Sequence, residues 1–445
     1  MTTNIRLSMK KFLRGAPDIA KAHFFVDDMS RNNGRPLDLW NVLRKANFVN
    51  IGWTVHDPAD WKDAITNTIR GGTCTMQHSR LTTYGFVITL SFVLATAAIG
   101  NAAGPKQNFG DATVLATVPT PPGFPEGIAV HGNLVYVAGP ATFGTAGDGQ
   151  PSRVISFNLK TGALEDTFAA QGENLSLDHA NSCIAFDGDG RLYVLNLQLG
   201  VYGINPGPGT QSIYASPFLD LPICAAVPAG TPCSPTPIDL PPLPNDLAFD
   251  EQGNLYVTDS LQATIWRIAP GGGPPQVWFQ DSRLTGNPAL GFIGVNGIRL
   301  SPDRSKVFIT VTADLAGQGV VYTLPLVPNP TPASLQVFHN YNAGESPDGI
   351  AFGKSGKLYV TLAAPFNSGI SILSGNGTET TRLTNPLGSP IFPYDSPANI
   401  AFNKKGSLLT TNHAFVTGVT MPSQFTALEV FVDDKESHLA KPDLP

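Results

Sequence analysis

The sequence predicts an all-β fold, a six-bladed β-propeller, and three observations carry that prediction. With 45 Gly, 39 Pro and only 14% charged residues among 445, the chain is turn-rich and too poor in charged residues for a helical bundle or coiled coil. With 42% hydrophobic residues it can bury a large core, which excludes a wholly disordered chain. One segment pattern recurs six times. Pro125-Glu-Gly-Ile-Ala-Val130, Asn181-Ser-Cys-Ile-Ala-Phe186, Pro244-Asn-Asp-Leu-Ala-Phe249, Val295-Asn-Gly-Ile-Arg-Leu300, Pro347-Asp-Gly-Ile-Ala-Phe352 and Pro397-Ala-Asn-Ile-Ala-Phe402 follow one another at spacings of 56, 63, 51, 52 and 50 residues.

Each copy shares one grammar. A short apolar strand meets a turn built mainly of Asp, Asn, Gly and Lys, and a second strand such as Lys357–Thr361 follows. Third strands are read in Thr264–Ile268, Val320–Leu324 and Gly369–Leu373, and fourth strands in Pro275–Phe279 and Ser334–Phe338. Four strands per repeat of about 50 residues, six times over, describe propeller blades.

The chain ahead of the repeats differs in character. Residues 1–75 carry a net charge of +4 and three of the five Trp, whereas residues 104–445 carry −11. Leu37–Lys45 and Pro58–Ile65 have local helical periodicity, so 1–75 is read as a short N-terminal extension without chemistry of its own. Arg80, the apolar run Tyr84–Gly100 and the small residues after it read as a signal peptide over 76–103, with Met76 as the true start. That run of 17 residues also reaches the short edge of the roughly 17–25 that span a bilayer, so a membrane anchor is the alternative. Both readings place the propeller, 104–445, outside the cytoplasm: secreted or periplasmic, or held there by the anchor. The net charge of −6 argues against a nucleic-acid partner.

A propeller brings equivalent repeat positions together around its central tunnel. The residue two before the Ile or Leu of each inner strand reads Glu126, Ser182, Asn245, Asn296, Asp348 and Ala398. Four of these, Glu126, Asn245, Asn296 and Asp348, offer carboxylate and amide oxygens suited to a hard cation, so Ca2+ is expected, with another divalent ion as the alternative. No His or Cys stands in the column, which speaks against a soft transition metal. Asn and Asp are also common turn residues, but Glu126 is not.

This Glu…Asn…Asn…Asp column, with Val295-Asn-Gly and Pro347-Asp-Gly-Ile leading into strands, resembles the senescence marker protein / gluconolactonase / luciferin-regenerating enzyme family (SMP/gluconolactonase/LRE-like). These are calcium-dependent six-bladed propeller hydrolases related to diisopropylfluorophosphatase and paraoxonase. The resemblance covers about residues 112–435. It implies Glu126, Asn245, Asn296 and Asp348 as metal ligands at the bottom of an open pocket, with Asp348 also as base or nucleophile. It further implies a lactone, ester or organophosphate as substrate. Two departures bear on that substrate. Leu243-Pro244 stand where some relatives have an Arg that helps bind sugar acids, which points to a more apolar compound. The Pro-rich tract Asn205–Pro244 is long enough to lie over the pocket as a lid.

Other residues carry chemistry of their own. His413, at the end of a second strand, is a second candidate base, with His179 behind it, while Asp259 and Asn412 at comparable strand ends are read as shaping the pocket. Cys224 and Cys233 lie nine residues apart and could pair in an exported protein, Cys183 reads as a small buried apolar residue, and no Cys has zinc spacing. Asn174-Leu-Ser and Asn376-Gly-Thr match the glycosylation acceptor pattern. No phosphate-binding Gly loop or nucleophile elbow is present. The expectation is a monomeric, metal-dependent hydrolase of lactonase, esterase or phosphotriesterase type acting on a small molecule. It takes no nucleic-acid partner and touches no membrane beyond the possible anchor. The alternatives are a non-catalytic NHL-like binding propeller, or a lyase or synthase on the same scaffold.

Overall fold

In the computed structural model, which describes residues 107–444, the repeats form six four-stranded antiparallel sheets. β1 (Ala112–Thr117) precedes the first repeat. Blade one holds β2 (Ile128–His131), β3 (Leu134–Gly139), β4 (Arg153–Asn158) and β5 (Leu164–Ala169). Blade two holds β6 (Asn181–Phe186), β7 (Leu192–Asn196), β8 (Gly200–Asn205) and β9 (Thr210–Ala215). Blade three holds β10 (Pro244–Phe249), β11 (Leu255–Asp259), β12 (Thr264–Ile268) and β13 (Gln276–Gln280). Blade four holds β14 (Val295–Leu300), β15 (Lys306–Val311), β16 (Gln318–Pro325) and β17 (Gln336–Ala343). Blade five holds β18 (Pro347–Phe352), β19 (Leu358–Leu362), β20 (Gly369–Leu373) and β21 (Glu379–Thr384). Blade six holds β22 (Pro397–Phe402), β23 (Ser407–Asn412) and β24 (Thr426–Phe431).

Blade six takes its fourth strand from the other end of the chain. β1 pairs with β24, Ala112 opposite Val430 and Thr117 opposite Thr426, and so closes the ring. Four strands within every copy do not anticipate this closure. Its physical reason is that an open blade would expose a ladder of unpaired backbone groups.

Inner strands are covered on both faces, so Pro347-Asp-Gly-Ile-Ala-Phe352 is buried throughout, while the outer β5 is exposed at every residue but Phe168. The apolar core is divided among the six blade interfaces. One cluster joins Ile265 and Tyr256 of blade three to Ile298 and Val307 of blade four, and five more repeat the arrangement around the ring.

Because neighbouring strands run antiparallel, the start of each inner strand shares one face with the second-to-third-strand loops and the loops between blades. Long loops gather on that mouth face: 216–243, 281–294, 385–396 and 413–425. The opposite face has short turns, such as 132–133 and 187–191. It is crossed by the C-terminal segment, where Lys354 N donates to Lys435 O (2.7 Å), Ser437 N to Phe352 O (2.8 Å) and Gly188 N to Pro442 O (2.9 Å). This strap was not legible in the repeat pattern.

Cys224 and Cys233 are joined by a disulfide, with Cα atoms 4.8 Å apart, and Cys183 is free and buried. The extension 1–75 and the segment 76–103, including the apolar run 84–100, lie outside the described residues. Among the described residues no helix is long and apolar enough to cross a membrane.

Candidate metal centre at the tunnel mouth

The column residues sit where the ladder is interrupted. In five inner strands the register shifts between the first residue and the Ile or Leu, as at Pro244/Leu247, Val295/Ile298 and Pro347/Ile350. Such a bulge releases the residues between from regular pairing and re-aims their side chains. Phe124, Ser346 and Ser396, each two residues before a column position, hold φ at 41°, 40° and 48°, so backbone strain concentrates at this mouth.

Threonines on the second strands repair the gap. Thr310 Oγ1 accepts from Gly297 N (2.6 Å) and donates across the interface to Asp348 O (2.7 Å). Thr361 donates to Ala398 O (2.6 Å), Thr411 to Glu126 O (2.7 Å), and Thr258 to Asn296 O (2.5 Å). Four interfaces are stitched in this way. The signal was a Thr column one strand beyond the inner one, in Val-Thr-Asp259, Ile-Thr-Val311, Val-Thr-Leu362 and Thr-Thr-Asn412, which sequence reasoning passed over. Gly297 after Asn296 serves packing: a Cβ there would lie 2.4 Å from Asp348 O.

Glu126, Asn296 and Asp348 are buried and Asn245 is half-buried, at the mouth ends of blades one, three, four and five. Three buried oxygens of this quartet, Asn245 Oδ1, Asn296 Oδ1 and Asp348 Oδ1, have no hydrogen-bond partner. Asn296 Nδ2 donates to Thr312 Oγ1 (2.9 Å), which fixes the amide and leaves its oxygen as the orphan. Buried acceptors normally find donors, so three orphans in one register call for an explanation. Burial and the Asp246 carboxylate push Glu126 up to about 8. Burial, then Glu126, then Asp246, push Asp348 well above the carboxylate range. The two remaining blades contribute nothing comparable: Ser182 Oγ donates to Pro244 O (2.8 Å), and Ala398 is apolar.

Asp246 was missed. It takes the repeat position where three copies have Gly, one has Cys183 and one has Asn399. Its Oδ2 accepts from Ile298 N (2.9 Å), and Arg299 Nη1 lies 3.5 Å from its Oδ1. At the same repeat position in blades two and six, Asn399 Nδ2 donates to Cys183 Sγ (3.2 Å). Arg299 also faces Glu436 of the C-terminal strap, whose carboxyl burial raises to about 6.

Among the described residues no group of three or more His, Cys, Asp or Glu is arranged to hold a metal ion. The quartet therefore depends on its two amides. Two carboxylates with two amide oxygens form a hard donor set, which suits an oxygen-seeking divalent cation.

His413 is packed between Phe124 (5.7 Å) and Phe415 (5.9 Å), and its Nε2 lies 2.8 Å from Ala141 O. A carbonyl only accepts, so Nε2 carries the proton and Nδ1 the lone pair. Burial lowers its pKa to about 4, so the ring is neutral near pH 7. His179 faces carbonyls with both nitrogens, Leu177 O at 3.0 Å and Gln150 O at 2.7 Å, so it holds two loops together and has no free lone pair to act as a base. Asp259 and Asn412 also hold loops. Asp259 accepts from Leu243 N (2.9 Å), Gln262 Nε2 (2.7 Å) and Trp266 Nε1 (3.1 Å), and Asn412 accepts from Asp395 N (3.0 Å). Gln262 in turn accepts from Leu221 N and donates to Leu219 O, pinning the Pro-rich tract to the β11–β12 corner.

Fold and site together define a class: a six-bladed propeller with a carboxylate–amide cluster at one tunnel mouth. No family model matches the chain, and no curated protein matches it. Among solved structures it is similar to regucalcin, a calcium-binding protein from Agrobacterium tumefaciens str. C58, at TM-score 0.51 and 14% identity over 76% of this chain and 98% of that one. It is also similar to a gluconolactonase from Xanthomonas campestris (TM-score 0.46, 14% identity, 72% of this chain and 89% of that one). A third likeness is to a luciferin-regenerating enzyme (TM-score 0.47, 12% identity, 72% and 95%). At 14% identity the likeness to regucalcin bears on the fold alone, and that fold is the six-bladed propeller the repeats predict.

Proposed function

We propose that the protein is a calcium-dependent hydrolase of lactonase, esterase or phosphotriesterase type, with Glu126, Asn245, Asn296 and Asp348 as the ligands. The observation that carries this reading is the set of three partnerless side-chain oxygens in one register. Bound there, the ion would supply Lewis acidity to a carbonyl or phosphoryl oxygen and offset the crowded carboxylates. Asp348 would take the proton of the attacking water as its oxygen bonds to the acyl carbon, then return that proton to the leaving alkoxide as the ester bond breaks. His413 Nδ1 offers a neutral acceptor at the blade six–blade one corner for orienting substrate. The Cys224–Cys233 disulfide supports work in an oxidising compartment outside the cytoplasm.

Calorimetric titration with Ca2+ tests the site. One ion should bind per chain, and Asp348→Ala should abolish binding. Thr312→Val, which frees the Asn296 amide, should weaken it by about 10–100-fold, as loss of an outer-shell partner commonly does. Equal binding by Asp348→Ala and the parent would refute the ligand set. Hydrolysis of a lactone and aryl-ester panel that persists after calcium is removed would refute the metal dependence.

A further inference from the structure

The mouth face is unlike the rest of the surface. Of the twenty exposed large hydrophobics among the described residues, thirteen lie in its loops. Leu177, Leu290, Phe366, Leu387 and Phe415 are more than half exposed there, from five different blades or blade junctions. Soluble monomers rarely expose contiguous apolar patches of large extent, and such patches commonly mark binding grooves. Phe415 ties this apolar rim to the site, since it stacks on His413, which packs on Phe124 two residues before Glu126.

Charge is segregated just as sharply. All eight described lysines fall in or beside the β4–β5, β14–β15, β18–β19 and β22–β23 turns or in the C-terminal strap, on the face away from the mouth. Three arginines end toward the mouth, and each is engaged. Arg283 is held by Asp281, Arg382 by Glu345 and Glu379, and Arg153 by Gln150 Oε1 and Pro121 O. The mouth loops meanwhile carry Asp148, Asp178, Asp220, Asp239 and Asp314. A face that carries one sign of charge attracts ligands of the other sign and repels its own, so an anionic ligand is disfavoured at this mouth.

We propose that the mouth admits an uncharged, bulky and mainly apolar ester or lactone and discriminates against anionic or polyhydroxylated ones. This rests on the hydrolase reading above. The apolar rim takes the acyl or alkyl portion, and the carboxylate–amide quartet receives the ester group at its base.

Two probes test this on the full chain: an aliphatic δ-lactone with a long alkyl chain, and the same lactone with a terminal carboxylate. Binding is read by equilibrium dialysis and hydrolysis by pH-stat titration, so that recognition and turnover are measured apart. The neutral lactone should bind at least tenfold more tightly. Phe415→Lys should narrow that ratio by strengthening binding of the carboxylated probe, while Val337→Lys on the outer strand β17 should leave it unchanged. Equal binding of the two probes, or preference for the carboxylate, overturns the proposal while leaving hydrolysis standing. Selective binding of the neutral lactone without turnover supports the proposal for recognition and defeats the hydrolase reading. A concentration-dependent dimer that Phe415→Lys dissociates would assign the rim to a second copy and overturn the substrate assignment.

Discussion

Glu126 and Asp348 are carboxyls crowded by each other and by Asp246. Each would release its proton reluctantly unless a cation stood beside it. The folded value of Glu126, about 8, lies above the ordinary 4.5. The folded state therefore binds more protons than the unfolded chain between those values, and its stability is full below about 4.5 and falls as pH rises through about 8. Calcium on the pair should offset that loss. The gain in Tm on adding calcium should thus be larger at pH 8 than at pH 5, as differential scanning calorimetry would read; an equal gain at both would detach the pair from the ion. Glu126, Asn245, Asn296 and Asp348 were all legible as oxygen donors in one register. Which of their atoms lack partners was not, because the answer depends on Thr312 and on strands from neighbouring blades.

Among the elements, the threonine stitches couple the ring to the site. Thr310 serves both Gly297 N and the carbonyl of Asp348. Thr310→Val keeps the shape but leaves a buried carbonyl unpaired, which should cost about 1–3 kcal/mol. Urea denaturation would measure it, and a change below about 0.5 kcal/mol would mean that water replaces the hydroxyl. The inner strands were readable because each repeats a hairpin of local hydrophobic pattern and turn chemistry. Asp259, Asn412 and His179 were legible as residues of the mouth face, but their partners were not. They stand at strand or loop ends there, each bonds to loop backbone, and Asp259 also takes bonds from the Gln262 and Trp266 side chains; local sequence does not reveal where a loop's backbone will lie.

For the whole molecule, closure depends on β1. Removing residues 107–117 from the chain would leave β24 an open edge, take Ala116 out of its cluster and uncover its neighbours Val118, Ile128 and Ala427. We expect loss of the cooperative thermal transition together with self-association, read by calorimetry and sedimentation; a monomer melting as the parent does would show that three strands suffice for blade six. The C-terminal strap closes the other end, and Glu436 beneath Arg299 links it electrostatically to Asp246. Neither device belongs to any single repeat.

The number of blades, the hairpin that begins each one and the oxygen column were present in the sequence by itself. All three are periodic, so six imperfect copies reinforce one another. The tertiary structure alone decided what the ring brings together across its seam. Thr411 and Glu126 are 285 residues apart, His413 and Ala141 are 272 apart, and β1 and β24 belong to opposite ends of the described chain. No local propensity specifies such pairs. They form only when the last blade returns to the first, and that same return determines which buried oxygens are satisfied and which remain for a ligand.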